Sequence, residues 1–110
     1  MIHLSPSAKT IITLVSLVNN MINISTIKDK WHARGFDCNL WTDPPQQVWE
    51  NFSHATDELF MLLEGKIELE IAGKIKYPTI GEEVLIPAQA IHSVRNKGKS
   101  GSRWLYGYKQ

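Results

Sequence analysis

The chain has 110 residues, a length that suits one domain able to close a single core without disulfides. Lys plus Arg number 12 against 11 Asp plus Glu, a formal charge of +1, so the composition offers no electrostatic grip on nucleic acid or an anionic membrane surface. The lone cysteine, Cys38, excludes an intramolecular disulfide and reads as a small buried apolar residue, suited to a reducing, cytoplasmic setting.

Residues 1–20 carry Lys9 and then an apolar run from Thr10 to Val18, far short of the roughly 20 residues that span a bilayer. Val18-Asn19-Asn20 lacks the small residues of a signal-peptide cleavage site. Residues 1–24 are therefore expected to be a dispensable extension, helical or disordered, ahead of a domain over residues 25–110. A short helix packed on that domain is the alternative for this stretch.

From about residue 36 the chain reads as short strands separated by turn signals. Phe36 to Trp41 is the first, closed by Asp43-Pro44-Pro45, because prolines cannot continue a ladder. Val48 to Phe52 is the second, and the apolar Glu58 to Glu64 the third, ended by Gly65. Lys66 to Ala72 alternates, with Ile67, Leu69 and Ile71 on one face and Glu68 and Glu70 on the other, the period of a half-buried strand. Gly65 and Gly73 mark the turns on either side. Ile75 to Tyr77 and Val84 to Ile86 are short strands, and Pro87 to Ala90 is a tight connection. The next strand puts His92, Val94 and Asn96 on one face. After a polar loop over residues 97–102, Arg103 to Tyr108 forms the last strand, with Trp104, Tyr106 and Tyr108 on one face and Leu105 on the other. Gly98-Lys99-Ser100 lacks the preceding glycine and the following helix of a phosphate-binding loop, so it reads as a solvated turn. No long helical period follows residue 36. The pattern predicts an all-β antiparallel sandwich or barrel.

One constellation carries chemistry. His54 and Glu58 are separated only by Ala55-Thr56-Asp57, a turn short enough to aim both side chains into one cavity. His92 heads the later strand. Two imidazoles and a carboxylate suit Fe, Mn, Ni, Co or Zn as divalent ions, and three protein ligands leave coordination positions open. Asp57 should point away from Glu58, so the two are not read as a paired acid and base.

The run His54-x3-Glu58-x6-Gly65 resembles the second half of cupin motif 1, and Gly81-x5-Pro87-x-Gln89-x2-His92-x3-Asn96 resembles cupin motif 2. The chain is thus identified, over roughly residues 36–108, as resembling a small single-domain cupin. That resemblance implies a jelly-roll barrel with a divalent metal held by His54, Glu58 and His92, turn glycines at 65 and 81, and Asn96 as an internal polar contact.

The chain departs from the motifs at three places. Phe52 stands where the first motif histidine is expected, leaving three ligands at most; a four-residue spacing would instead put His54 out of register. Gln46 replaces the opening glycine of motif 1. Gln89 replaces the glycine of the Pro-x-Gly turn, which is therefore expected to avoid a glycine-dependent conformation.

Trp49, Phe52, Phe60, Leu62, Val94, Asn96 and Leu105 are the expected cavity lining, in keeping with the mostly apolar walls of small-molecule sites. Arg95 and Arg103 are the available cations for an anionic ligand. The resemblance implies a metal-dependent enzyme acting on a small molecule, an oxygenase or isomerase among the classes. The alternative is a metal-free module that binds a sugar-like or carboxylate ligand. Open sheet edges, and the habit of small cupins, lead to an expected homodimer.

Overall fold

The computed structural model describes residues 22–110. The apolar run Thr10 to Val18 and all but the last three residues of the expected extension over residues 1–24 lie outside those residues. The described chain begins with a helix, α1 (Ile24–Ala33), and continues with eight strands. They are β1 (Asn39–Asp43), β2 (Val48–Phe52), β3 (Glu58–Glu64), β4 (Glu68–Ile71), β5 (Lys74–Lys76), β6 (Glu83–Ile86), β7 (His92–Arg95) and β8 (Ser102–Tyr108). Among the described residues, no helix is long and apolar enough to cross a membrane.

Helix α1 has local reasons to form where it does. The Asn23 side chain caps it by accepting from the Thr26 N–H at 3.1 Å, and Gly35, at φ 86°, turns the chain out of it. Ile24, Ile27 and Trp31 recur at helical spacing and face the sheet, with Trp31 only 1% exposed. The helix is pinned by Glu83: its carboxylate accepts from Trp31 Nε1 at 2.9 Å and from both Arg34 Nη atoms at 2.7 and 2.9 Å. The division expected after residue 24 falls one residue inside this helix.

The strands form two antiparallel four-stranded sheets, ordered β1-β8-β3-β6 and β2-β7-β4-β5, that face each other as a jelly roll. Strands β2 and β3 occupy the residues expected. The first strand instead begins at Asn39, because Phe36 and Cys38 are buried beneath α1 and Phe36 makes only an isolated bridge to Lys109. The fourth contracts to Glu68–Ile71.

Both faces of the first sheet are covered, which explains why β3 is an unbroken apolar run. Its outward residues Leu59, Met61 and Leu63, with Leu105 of β8, pack under α1 beside Trp31, Phe36 and Cys38. Its inward residues Phe60 and Leu62 join Ile67, Leu69, Val84, Ile86 and Trp104 in the barrel interior. Cys38 is thus core, and burial pushes its thiol pKa up.

On the second sheet, Arg95 ties three strands together. It forms a two-point contact with Glu50 of β2, at 2.7 and 2.9 Å, while Nη1 reaches Glu68 at 2.9 Å and Glu70 at 3.1 Å on β4. Glu68, expected on the solvent face, is buried because Arg95, Lys97 and Tyr77 enclose its carboxylate. Arg103 approaches Glu64 at 3.7 Å. Neither arginine lines the barrel cavity.

Candidate metal centre and barrel cavity

Two loops at one mouth of the barrel position the candidate ligands. His54 lies in the connection between β2 and β3, Glu58 opens β3, and His92 opens β7. The Gln89 N–H donates to the His54 carbonyl at 2.7 Å, and the Ala88 N–H donates to Asp57 Oδ1 at 2.7 Å. Asp57 therefore fastens one ligand loop to the other. The register pairs Glu58 with both Ile86 and Tyr108, so its side chain enters the barrel beside β8.

The turn at Gln89 does not avoid the glycine-like conformation, as its sequence suggested it should: φ is 68°. That left-handed residue delivers its own N–H to His54 and leaves the next carbonyl, Ala90, 3.0 Å from His92 Nδ1. Gln46, at the other substituted glycine, is also left-handed at φ 66°, and its Nε2 donates to the Gly98 carbonyl at 2.9 Å. A bulge between Trp49 and Phe52 is held by the left-handed Asn51, whose N–H donates to Ser93 Oγ at 2.9 Å. Such local strain persists where surrounding contacts over-determine it.

The three candidate ligands meet. One donor atom from each of His54, Glu58 and His92 lies within 4.8 Å of the others. Glu58 Oε1 is 3.4 Å from His54 Nε2 and 3.3 Å from His92 Nε2, yet it is buried and no well-aligned hydrogen bond satisfies it. A buried carboxylate oxygen left in that state calls for a cation or proton between the groups. The Ala90 carbonyl accepts a hydrogen bond from His92 Nδ1–H, so that in the neutral ring the Nε2 lone pair faces Glu58, the arrangement that orients ligating histidines. Without a metal, the Glu58 carboxylate holds the His92 pKa above its usual range, although burial opposes this. Donor chemistry, spacing and the unsatisfied oxygen all fit a divalent transition ion.

Above these groups opens a cavity of about 230 Å³, lined by Trp41, Trp49, Phe52, His54, Glu58, His92, Val94, Trp104, Tyr106 and Tyr108. Trp49, Phe52 and Val94 were expected there. Phe60, Leu62, Asn96 and Leu105 were expected too, and the structure places them elsewhere. Phe60 and Leu62 fill the packed interior, with the Phe60 ring 5.6 Å from that of Trp104 and tilted 36° to it. Leu105 points to the opposite face of its strand, under α1. Asn96 is consumed by the loop after β7: its Nδ2 donates to the Pro44 and Ser100 carbonyls at 3.1 Å, and its Oδ1 accepts from Gly98 N at 3.0 Å.

Trp41, Trp104, Tyr106 and Tyr108 line the cavity without having been expected. The alternation of β8 put the last three on one face, but only the pairing of Glu58 with Tyr108 shows that this face is the inner one. Phe52 pairs directly with His92 across β2 and β7, so the residue at the missing histidine position does sit at the cavity. Tyr108 stands edge-on to His54, with ring centroids 4.8 Å apart and its hydroxyl 3.4 Å from Nε2. Burial, then the Glu58 carboxylate, pushes the Tyr108 phenol up to about 12.

A jelly-roll barrel with a His-Glu-His group in its mouth defines the cupin class. The family model described as Cupin domain matches residues 39–108, well over half of the chain, and the protein belongs to that family. No curated protein matches the chain. Solved structures share the fold at low identity. The plu4264 protein from Photorhabdus luminescens is 21% identical, with a TM-score of 0.63, over 69% of this chain and 63% of that one. A salicylate 1,2-dioxygenase from Pseudaminobacter salicylatoxidans is 16% identical, TM-score 0.64, over 68% of this chain and 22% of that one. A DMSP lyase from Ruegeria pomeroyi is 17% identical, TM-score 0.62, over 69% of this chain and 39% of that one. The chain thus spans less than two thirds of the length of each of these three structures.

Proposed function

We propose that His54, Glu58 and His92 bind one divalent transition metal and that the protein acts on a small molecule held in the aromatic cavity above it. The observation that carries this reading is the buried, unsatisfied Glu58 Oε1 between two imidazole nitrogens. When bound, the metal supplies Lewis acidity and open coordination positions. The chain itself supplies orientation: Ala90 fixes the His92 tautomer, and aromatic side chains wall the cavity above the site. Tyr108 is a neutral hydroxyl at the ligand edge, able to donate a hydrogen bond to a substrate oxygen. A dioxygenase and a lyase share the fold, which supports a small-molecule substrate and leaves the reaction class to experiment.

Calorimetric titration of chelator-treated protein with Fe(II), Mn(II), Co(II), Ni(II) and Zn(II) tests the proposal. One site per chain is expected, weakened at least a hundredfold in Glu58→Ala and in His92→Ala. Equal metal affinity in the wild type and both variants contradicts it and favours the metal-free binding module. Oxygen uptake with Fe(II) and small thiols, diketones or catechols then separates an oxygenase from an isomerase.

We also propose that the protein works in the cytoplasm as a homodimer. Strands β1 and β2 are both sheet edges and expose Leu40 and Val48, at 47% and 46%. Sedimentation equilibrium at micromolar concentration should give twice the chain mass; a monomer mass refutes the dimer.

A further inference from the structure

The cavity end away from the histidines has its own chemistry. Trp41 and Trp49 meet nearly edge to face, with ring centroids 5.8 Å apart at 74°, and Tyr106 stands against Trp41 at 6.4 Å and 80°. Trp41 thus stands steeply to both neighbours, and the three rings, drawn from β1, β8 and the facing β2, form the sides of an aromatic box. Along β8, the step from Tyr108 to Tyr106 carries this box about 7 Å from the candidate metal centre.

A single buried carboxylate holds the box. Asp43, 3% exposed, accepts from Trp41 Nε1 at 2.6 Å and from Trp49 Nε1 at 2.9 Å. This contact has three consequences. It locks Trp41, which is 38% exposed and would otherwise be free to turn at the cavity mouth. It uses both indole N–H donors, so neither is available to a ligand hydroxyl or carboxylate. It also sets a carboxylate at the N–H edges of both indoles, which polarises the rings and enriches the negative faces that attract a cation. Neither lysine nor arginine lines the cavity, so nothing at this end recognises an anion.

We propose that Trp41, Trp49 and Tyr106 form a subsite for an onium cation, a methylated ammonium or sulfonium group, with Asp43 as its positioning residue. A planar neutral ring would gain contact area from these walls but nothing from the buried charge. An onium group gains from both, because its methyl shell needs no hydrogen bond and its charge meets the faces of indoles polarised by a carboxylate at their edges. The assignment rests on reading the barrel cavity as the small-molecule site, and it does not require the metal to be bound.

Calorimetry on chelator-treated protein tests it with choline, tetramethylammonium and 3,3-dimethylbutan-1-ol, the uncharged isostere of choline. Choline is expected to bind at least tenfold more tightly than the isostere, and tetramethylammonium to compete with it. Trp41→Leu should weaken choline tenfold or more and leave the isostere within twofold. Asp43→Asn keeps the side-chain shape and should shrink the preference for choline to threefold or less; an unchanged thermal midpoint for Trp41→Leu shows that a loss there is not unfolding. Equal affinity for choline and its isostere, or a preference that survives both substitutions, overturns the proposal. Because the protein is metal-free in this experiment, failure here leaves metal stoichiometry untouched, and failure to bind metal leaves this affinity ratio untouched.

Discussion

Gln89 and Gln46 occupy positions where a side chain pays for a left-handed backbone, and they do so for different returns. Gln46 recovers a hydrogen bond to the Gly98 carbonyl. Gln89 is exposed, and its value lies in its backbone N–H, which a glycine would present equally well. Relief of the steric cost outweighs the added unfolded-chain freedom, so Gln89→Gly should stabilise the fold by about 1 kcal/mol. Urea unfolding measures this directly; a destabilised variant would show that the Gln89 side chain contributes something its exposure conceals. The meeting of His54, Glu58 and His92 was legible in the sequence because their spacing resembles two cupin motifs. The cavity lining was less so, since alternation along β8 groups Trp104, Tyr106 and Tyr108 without saying which face is inward. Leu105 and Asn96 were misplaced for related reasons: one lies on the other face of β8, and the other is turned into its own loop.

At the scale of elements, α1 and the Arg95 network are the parts that hold the barrel from outside. Trp31 is the helix's one fully buried side chain, so Trp31→Ala should cost about 3–5 kcal/mol in urea unfolding. A loss below about 1 kcal/mol would mean that the helix is not docked in solution. Its signals were present in the sequence: Asn23, then Ile24, Ile27 and Trp31 at helical spacing, then Gly35. They were overlooked because the helix is short and its polar face dilutes the pattern. On the opposite sheet, hydrogen bonds from Arg95, then Lys97 and Tyr77, hold the Glu68 carboxyl down at about 2. A carboxyl depressed in the folded state adds stability above its unfolded pKa, near 4.3, and that contribution fades as pH falls toward 2. The urea midpoint should therefore drop between pH 4.5 and 2, and the drop should be shallower in Glu68→Gln. An identical pH profile for that variant would remove Glu68 from the account.

For the whole molecule, the two sheets enclose the cavity between them, and α1 backs the first sheet from outside. Its rim joins the ligand loops, and its walls come from β1, β2, β7 and β8. The jelly roll was readable from short alternating strands and two spaced motifs, because strand period and turn residues are local properties. Register is not local. The pairings of Glu58 with Tyr108 and of Phe52 with His92 bring an aromatic wall to the candidate metal centre, and no sequence interval announces them. The same pairings set the central claim, proposed above, that the unsatisfied buried Glu58 carboxylate and the two imidazoles beside it bind a metal ion. Elemental analysis of protein purified without chelators or added metal tests it most directly. Close to one equivalent of a transition metal per chain is predicted for the wild type, falling below about a tenth in a folded Glu58→Ala variant. Negligible metal in the wild type, even after incubation with Fe(II), Mn(II) or Zn(II), contradicts it.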